Sequence, residues 1–416
     1  MNDVERITTL LASVFALGIG AQCIAWRARV PAILLLILAG LAAGPITGYL
    51  DPDKLLGPLL SPIVSLSVAI ILFEGGLNLR LRELAGTGTA LIGLLTVGVA
   101  ITAASSAALA YWILDMPLSV AILLGSILVV TGPTVLGPLL RQIRPSGKVG
   151  SVARWEGVVI DPIGATLAVL VFEVETVIGT TNYESVFAAT AMGLASTTFV
   201  GVSIGLVMAA MMLLLLRFFL VSDHLQGGVA LACVLAAFAV AELFKNEAGL
   251  LAVTVMGLVL ANQKKVRIDT IAEFKENLSV ILISCLFILL AARVRMDHLL
   301  DVGRKGLLFV AAMIVVVRPL SVFASTMGSG LNIRERLFLA WLAPRGIVAA
   351  AVSSVFAIEL GEKAGSMASV AFLVILGTVA VYGMTSGLVA RALGLATKDA
   401  QGFLIAGQSP CLRNRP

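Results

Sequence analysis

LSVAILLGSILVVTGPTVLGPLL, Leu118 to Leu140, is an apolar run long enough to cross a bilayer, yet Thr131, Gly132, Pro133 and Thr134 interrupt it near its middle. Freed backbone groups at membrane depth are tolerated where neighbouring protein satisfies them or where they line a cavity. A second break stands in LFLAWLAPRGIVAAAV, Leu337 to Val352, at Ala343, Pro344, Arg345 and Gly346. A proline kink would account for either break alone. The two lie an odd number of spans apart, so the interrupted helices run in opposite senses across the membrane. That is the mark of inverted-topology repeats, in which broken helices meet at the midplane and build the site.

Composition supports the membrane setting. The 416 residues are 59% hydrophobic and 13% charged, with a mean hydropathy of +1.05. A soluble domain is about half apolar and about a quarter charged. The chain is expected to be an all-α polytopic membrane protein of about thirteen transmembrane helices, each about 20 apolar residues long. The expected spans are Ile7 to Trp26, Val30 to Tyr49, Leu60 to Leu77, Ala90 to Leu114, Leu118 to Leu140, Glu156 to Val177 and Ala188 to Leu216. The remainder are Gly227 to Leu243, Gly249 to Ala261, Leu278 to Ala292, Gly306 to Ser325, Leu337 to Leu360 and Ser366 to Ala392. The breaks thus fall in the fifth and twelfth spans.

Basic residues orient the bundle. With the N-terminus outside, most Lys and Arg lie in cytoplasmic loops, as the positive-inside bias requires. Arg293, Arg295, Arg304 and Lys305 are the exception, falling on the outer side. The C-terminus is then cytoplasmic and the location is the inner (plasma) membrane. The net charge of +5 needs no nucleic-acid partner, because bases beside membrane ends are attracted by anionic lipid. MNDVER lacks the basic start of a secretory signal, so the first span is expected to stay. Cys23, Cys233 and Cys285 lie in spans without metal or disulfide spacing, and His224 and His298 are single loop residues.

Charges inside spans are functional candidates because burying them is costly. They are Glu74, Glu156, Asp161, Arg318 and Arg345. In WEGVVIDPIG, Trp155 to Gly164, the two acids are offset by roughly 140° of helical rotation and cannot form a close pair on a regular helix. Glu156 and Arg318 read first as buried partners that hold the bundle. Asp161 has no oppositely charged neighbour in sequence and reads as functional. Pro162 is expected to loosen the helix at Asp161. Arg345 is placed to offset helix C-terminal ends, which carry partial negative charge.

These motifs resemble the monovalent cation:proton antiporters of the NhaP-like sodium/proton exchanger group, over residues 1 to about 396. The resemblance rests on FEGGLNL (Phe73 to Leu79), TGPTVLGPLLRQIRP (Thr131 to Pro145), WEGVVIDPIGA (Trp155 to Ala165) and GLLAVTVMGLVLAN (Gly249 to Asn262). It continues through FKENLSVILISCLFILLA (Phe274 to Ala291), VVRPLSV (Val316 to Val322) and APRGIVAAA (Ala343 to Ala351). It implies that Asp161 binds the cation or a proton in turn, that Glu74 and Thr131 lie near the ion, and that Glu156 pairs with a buried arginine, either Arg345 or Arg318. Gly132, Pro133, Pro162, Pro344 and Gly346 are the helix-breaking positions. The cargo would be Na+ or Li+ against H+, with no cofactor, the lipid bilayer as surroundings and a homodimer as the assembly.

Three departures from the family pattern stand out. Ile160 occupies the place of an asparagine or aspartate, Gly132 that of an aspartate, and Gly157 that of a serine. With no second acid beside Asp161, one-for-one exchange is the simpler expectation. Potassium/proton exchange is the runner-up, and a cation channel or a non-transporting membrane sensor are the alternatives from other classes. A channel would pass current without proton counterflow, whereas a sensor would not rescue a salt-sensitive strain. No nucleophile, phosphate loop or metal cluster suggests an enzyme. Residues 397–416 are expected to be a short cytoplasmic tail, and QGFLIAGQSP within it resembles the first strand of a regulatory nucleotide-binding-type domain, of which it would be a remnant.

Overall fold

In a bilayer a helix satisfies all its backbone groups internally, and the apolar spans fold accordingly. The computed structural model describes residues 3–28, 30–177, 183–264, 266, 269–294, 296–364 and 366–396, and the tail expected at 397–416 lies outside them. Among the described residues the chain is a helical bundle without strands. Its first part comprises α1 (Asp3–Ala28), α2 (Ala32–Leu41), α3 (Pro52–Leu56), α4 (Leu60–Leu77), α5 (Gly88–Gly93) and α6 (Val99–Leu114). Then come α7 (Leu118–Ile127), α8 (Pro133–Ile143), α9 (Val149–Val177), α10 (Tyr183–Arg217), α11 (Gln226–Phe244) and α12 (Ala248–Asn262). The last are α13 (Asp269–Ala292), α14 (Met296–Ala312), α15 (Arg318–Ser325), α16 (Ile333–Trp341), α17 (Ile347–Leu360) and α18 (Met367–Ala392).

Among the described residues, nine helices are long and apolar enough to cross a membrane, by length and composition. Four of the expected spans come out as shorter apolar helices, at Ala32–Ile46, Leu118–Ile127, Ala248–Asn262 and Val348–Ala357. The expected count of thirteen therefore does not follow from length and composition. The physical reason is plain for two of the four, since the fifth and twelfth expected spans are each cut into two helices, α7 with α8 and α16 with α17. In the second span, Pro45 falls within a wide π turn at Ala42–Ile46 that ends the helix.

The two cuts are short extended stretches, with Gly132 at φ −73, ψ 115 and Gly346 at φ −105, ψ 178. They lie against each other, and Gly132 N donates to the Pro344 carbonyl at 2.9 Å. A Cβ on Gly132 would stand 2.2 Å from Gly346 Cα, and one on Gly346 would stand 2.3 Å from Gly132 Cα. Glycine is required here for closeness rather than for an unusual backbone angle. A similar contact joins α4 and α12, where a Cβ on Gly76 would meet the Thr254 carbonyl at 2.5 Å and one on Gly257 the Phe73 carbonyl at 2.5 Å. Small residues that let backbones touch are the usual means of packing membrane helices.

α9 runs beside the crossing and stays helical through Pro162. This corrects the expected loosening at Asp161. Proline removes one donor, which leaves the Val158 carbonyl without its helical partner, but the flanking turns are pinned by packing. A Cβ on Gly157 would lie 2.8 Å from Leu136 Cδ2, and one on Gly164 would lie 2.3 Å from Val130 Cγ2. Two of the four bases that fell on the outer side are neutralised locally, Arg293 by Asp53 and Lys305 by Asp115. Large apolar side chains exposed along α10, such as Phe199, Val207 and Leu214, suit contact with lipid.

Replacing Gly132 by Ala forces the crossing backbones apart. We expect G132A to lower the stability of the detergent-purified protein by about 3 kcal/mol, the upper end of overpacking costs. A melting midpoint unchanged from the native protein would contradict the contact.

Candidate functional site

Four helix ends converge on the crossing. α7 and α16 arrive with their C-termini, while α8 and α17 depart with their N-termini. Helix C-terminal carbonyls lack intrahelical donors and carry partial negative charge. Two buried arginines take them up. Arg345 Nη1 donates to the Val129 and Val130 carbonyls at 3.0 and 3.2 Å, beyond the end of α7. Arg318 Nε and Nη2 donate to the Leu339 and Leu342 carbonyls at 3.0 and 3.3 Å, at the end of α16. The Arg345 amide donates to Thr378 Oγ1 at 3.2 Å, which ties the second break to α18.

Arg318 is also the partner of Glu156. The pair is bidentate, with Nη1 to Oε1 at 2.5 Å and Nη2 to Oε2 at 2.9 Å, and both side chains are buried. Of the two arginines open as partners, Arg318 takes the carboxylate, while Arg345 is bound to backbone. Five residues further along α9, Asp161 points elsewhere, as helical phase requires. Gly157, Asp161 and Gly164 share one face at spacings of four and three, and both glycines abut the first break, at Leu136 and Val130. Asp161 is therefore directed at residues 131–134.

That region holds an unusual share of unsatisfied polar atoms. Eight buried side-chain oxygens and nitrogens lack a hydrogen-bond partner among the described residues, and Asp161 Oδ1, Thr131 Oγ1, Thr134 Oγ1 and Arg345 Nε are four of them. Buried polar groups normally find partners, which sets these atoms apart from the satisfied polar groups around them. Asp161 is 1% exposed. Two hydroxyls and a carboxylate are hard oxygen donors of the kind that suit a small hard cation. No group of three or more His, Cys, Asp or Glu side chains that could hold a metal ion occurs among the described residues. A charged cargo held here would depend on one carboxylate with neutral oxygens.

Thr134 was not among the sequence candidates, although the TGPT string contains it. Gly132, where an aspartate was the family pattern, has no room for a side chain against Gly346. The space a serine would use at Gly157 is filled by Leu136, and Ile160 is buried.

Glu74 stands apart from this group. It lies on α4 and lines a cavity of about 70 Å³ that also touches Pro133, Thr134, Arg141, Arg154 and Val158. A second cavity, of about 570 Å³, touches Val169, Phe172 and Glu173 at the other end of α9, together with Asp53, Glu242, Glu247 and Glu359. Asp161 lines neither. It sits between two approaches that come from opposite ends of its helix. In the larger cavity, Glu242 accepts hydrogen bonds from the backbone amides of Glu247 and Gly249 at 3.1 Å each, capping α12. Burial, aided by the charge of Glu242, pushes the Glu247 carboxyl in the connecting loop up to about 7 from its ordinary 4.5.

Two consequences are measurable. Glu156→Gln leaves the Arg318 charge buried and unpaired, which should lower stability by about 3–5 kcal/mol, whereas the double change E156L/R318M should recover most of it. Detergent melting of the three proteins decides this, and equal melting of E156Q and the native protein would refute it. For Glu247 the folded state holds its proton more tightly than the unfolded state. Folding stability from this group is complete below about pH 4.5 and falls as pH rises to about 7. Glu247→Gln should therefore melt higher than the native protein at about pH 8 and alike at about pH 4, and the reverse order would contradict the burial.

The comparisons with known proteins bear on this geometry. The structure of the sodium proton antiporter MjNhaP1 from Methanocaldococcus jannaschii at pH 8 superposes with a TM-score of 0.81 over 94% of this chain and 99% of that one, at 24% identity. The protein named K(+)/H(+) antiporter NhaP2 from Shewanella sp. strain MR-4 is 25% identical over 395 residues, which are 94% of this chain and 67% of the relative. Na(+)/H(+) antiporter 1 of Methanocaldococcus jannaschii is 24% identical over 365 residues, 85% of this chain and 84% of the relative. The family model described as "Sodium/hydrogen exchanger, transmembrane" matches residues 10–392, and the chain belongs to that family of cation/proton antiporters.

Proposed function

We propose that this protein exchanges a monovalent cation, Na+ or Li+, for H+, the two competing for the Asp161 carboxylate. The observation that carries the proposal is a buried carboxylate with an unpartnered oxygen, on the face of α9 that packs against the first break, where two threonine hydroxyls are likewise unpartnered, between cavities from opposite ends of α9. Moving a bare charge through the bilayer is costly. A carrier that reorients only when Asp161 is neutralised, by cation or by proton, would therefore couple the two flows. Helix ends at the crossing, with Arg345 and Arg318 already engaged by carbonyls, leave Asp161 free for a mobile charge. Thr131 and Thr134 would serve as neutral oxygen ligands, and Arg345 and Arg318 as coupling or structural charges. The setting is the plasma membrane, with the N-terminus outside, the C-terminus cytoplasmic and the protein a homodimer.

With one carboxylate directed at the break, the exchange is one for one and electrically silent. Proteoliposomes loaded in turn with Li+, Na+ and K+ test this, with the membrane potential clamped and unclamped. Na+ and Li+ should drive proton flux at rates that clamping leaves unchanged, and Asp161→Asn should abolish flux while the protein stays folded and inserted. Full cation-dependent flux in D161N would refute the assignment, and flux driven by K+ alone would replace the cargo. Thr131→Val should raise the apparent KM for the cation about tenfold, the equivalent of ~1.4 kcal/mol, with the maximal rate less affected. An unchanged KM would remove Thr131 from the ligand set.

A further inference from the structure

The small cavity that reaches Pro133 and Thr134 has a guanidinium at its acidic wall. Arg141 Nη1 lies 4.0 Å from Glu74 Oε1 and 3.1 Å from Glu276 Oε1. The longer distance exceeds a hydrogen bond and the shorter one is a hydrogen bond, so the arginine is held by Glu276 while its charge still bears on Glu74. The side chains differ in exposure: Glu74 is 8% exposed, Arg141 53% and Glu276 60%. Arg141 thus spans from solvent to a buried acid. It occupies the last turn of α8, the half-helix that starts at Pro133 in the crossing, and is carried rigidly with the first break.

The other cations around Glu74 are less free to act. Lys275 is buried and within Coulombic reach of Glu74 and Glu276. Arg154 lines the same cavity but is engaged by Glu83 at 3.6 Å. Arg141 is half-exposed, and its Nη1 lies within 4.0 Å of two carboxylates. A guanidinium stays charged at any physiological pH and cannot leave the chain.

We infer that Arg141 is a tethered competitor for the transported cation at Glu74, and that Glu276 sets the strength of that competition by giving the guanidinium a second seat. The inference rests on the exchange proposed above and adds a residue that sets its affinity. A cation approaching through the cavity meets Glu74 with a positive charge already beside it. When Arg141 turns fully to Glu276, Glu74 is available; when it turns to Glu74, the approach is closed. The competition acts on the side of the membrane at which α8 ends, because the cavity of about 570 Å³ at the other end of α9 contains neither Glu74 nor Arg141.

The two variants should move affinity in opposite directions, which a merely structural role would not produce. Membrane vesicles of each orientation are assayed for cation-dependent proton flux. Arg141→Gln should lower the apparent KM about fivefold, the equivalent of ~1 kcal/mol and the upper range of a solvent-facing ion pair, without lowering the maximal rate. Glu276→Gln should raise it, R141K should restore a value near the native one, and R141Q/E276Q should match R141Q, since the second seat is irrelevant without the arginine. The changes should appear in one vesicle orientation and shrink at high ionic strength set with an untransported salt. Native exchange with a KM that neither variant moves, or that both move in one direction, overturns the competitor role alone. Absence of exchange in the native protein overturns the transport proposal and this inference with it.

Discussion

The contact between Gly132 and Gly346 is the constraint on which the rest of the structure depends. Two extended backbones touch there without side chains between them, and everything nearby follows from that closeness. Four helix ends are brought to one point, two presenting carbonyls and two presenting amides. Carbonyl ends buried without donors would be unstable, which accounts for arginines at 318 and 345 rather than apolar residues. The arginines in turn demand compensation. Glu156 supplies it for Arg318 through a bidentate pair, and Arg345 spreads its charge over the Val129 and Val130 carbonyls. Arg318, Arg345 and Glu156 are thus a response to the crossing.

Asp161 is the exception to that accounting. Both arginines are committed before they could reach it, and helical phase turns it away from Glu156. Its carboxylate faces the break from a helix that remains regular despite Pro162. A regular helix matters here, because it keeps Asp161 on the same face as Gly157 and Gly164, which pack against the first break. Asp161 Oδ1, Thr131 Oγ1 and Thr134 Oγ1 are all buried without a hydrogen-bond partner.

Much of this was legible in the residues. Gly132 beside Pro133, and Pro344 with Gly346 two residues on, declared both breaks. The five-residue spacing of Glu156 and Asp161 separates their directions on any regular helix. What could not be read was partnership across long separations. Arg318 stands 162 residues from Glu156, and nothing local distinguishes it from Arg345 as a partner. The same holds for Arg141, which is an ordinary loop-proximal base until α4 and α13 bring Glu74 and Glu276 to it. Pro162 misled because the rule that proline disturbs a helix describes an isolated chain, whereas packing of Gly157 and Gly164 against the first break holds the turn. Length and composition find nine long spans and four shorter apolar helices among the described residues. A broken span and a continuous one have the same composition, and only the fold divides them.

The departures from the family pattern gain a physical account. An aspartate at position 132 would need room that the Gly346 backbone occupies. Its absence is a consequence of how closely this chain crosses, and a second acid beside Asp161 is excluded by geometry at that position. At 157 a hydroxyl would displace Leu136, and Ile160 adds apolar cover in the same helix. The three changes act together, each removing a polar atom from the neighbourhood of Asp161 and drying it. A drier site strengthens the Coulomb attraction of a lone carboxylate for whatever neutralises it and makes an un-neutralised state harder to sustain. Loss of polar neighbours and loss of water work in opposite directions on the affinity of the Asp161 carboxylate for a positive charge, since fewer neutral oxygens are at hand while the Coulomb attraction to the carboxylate is stronger.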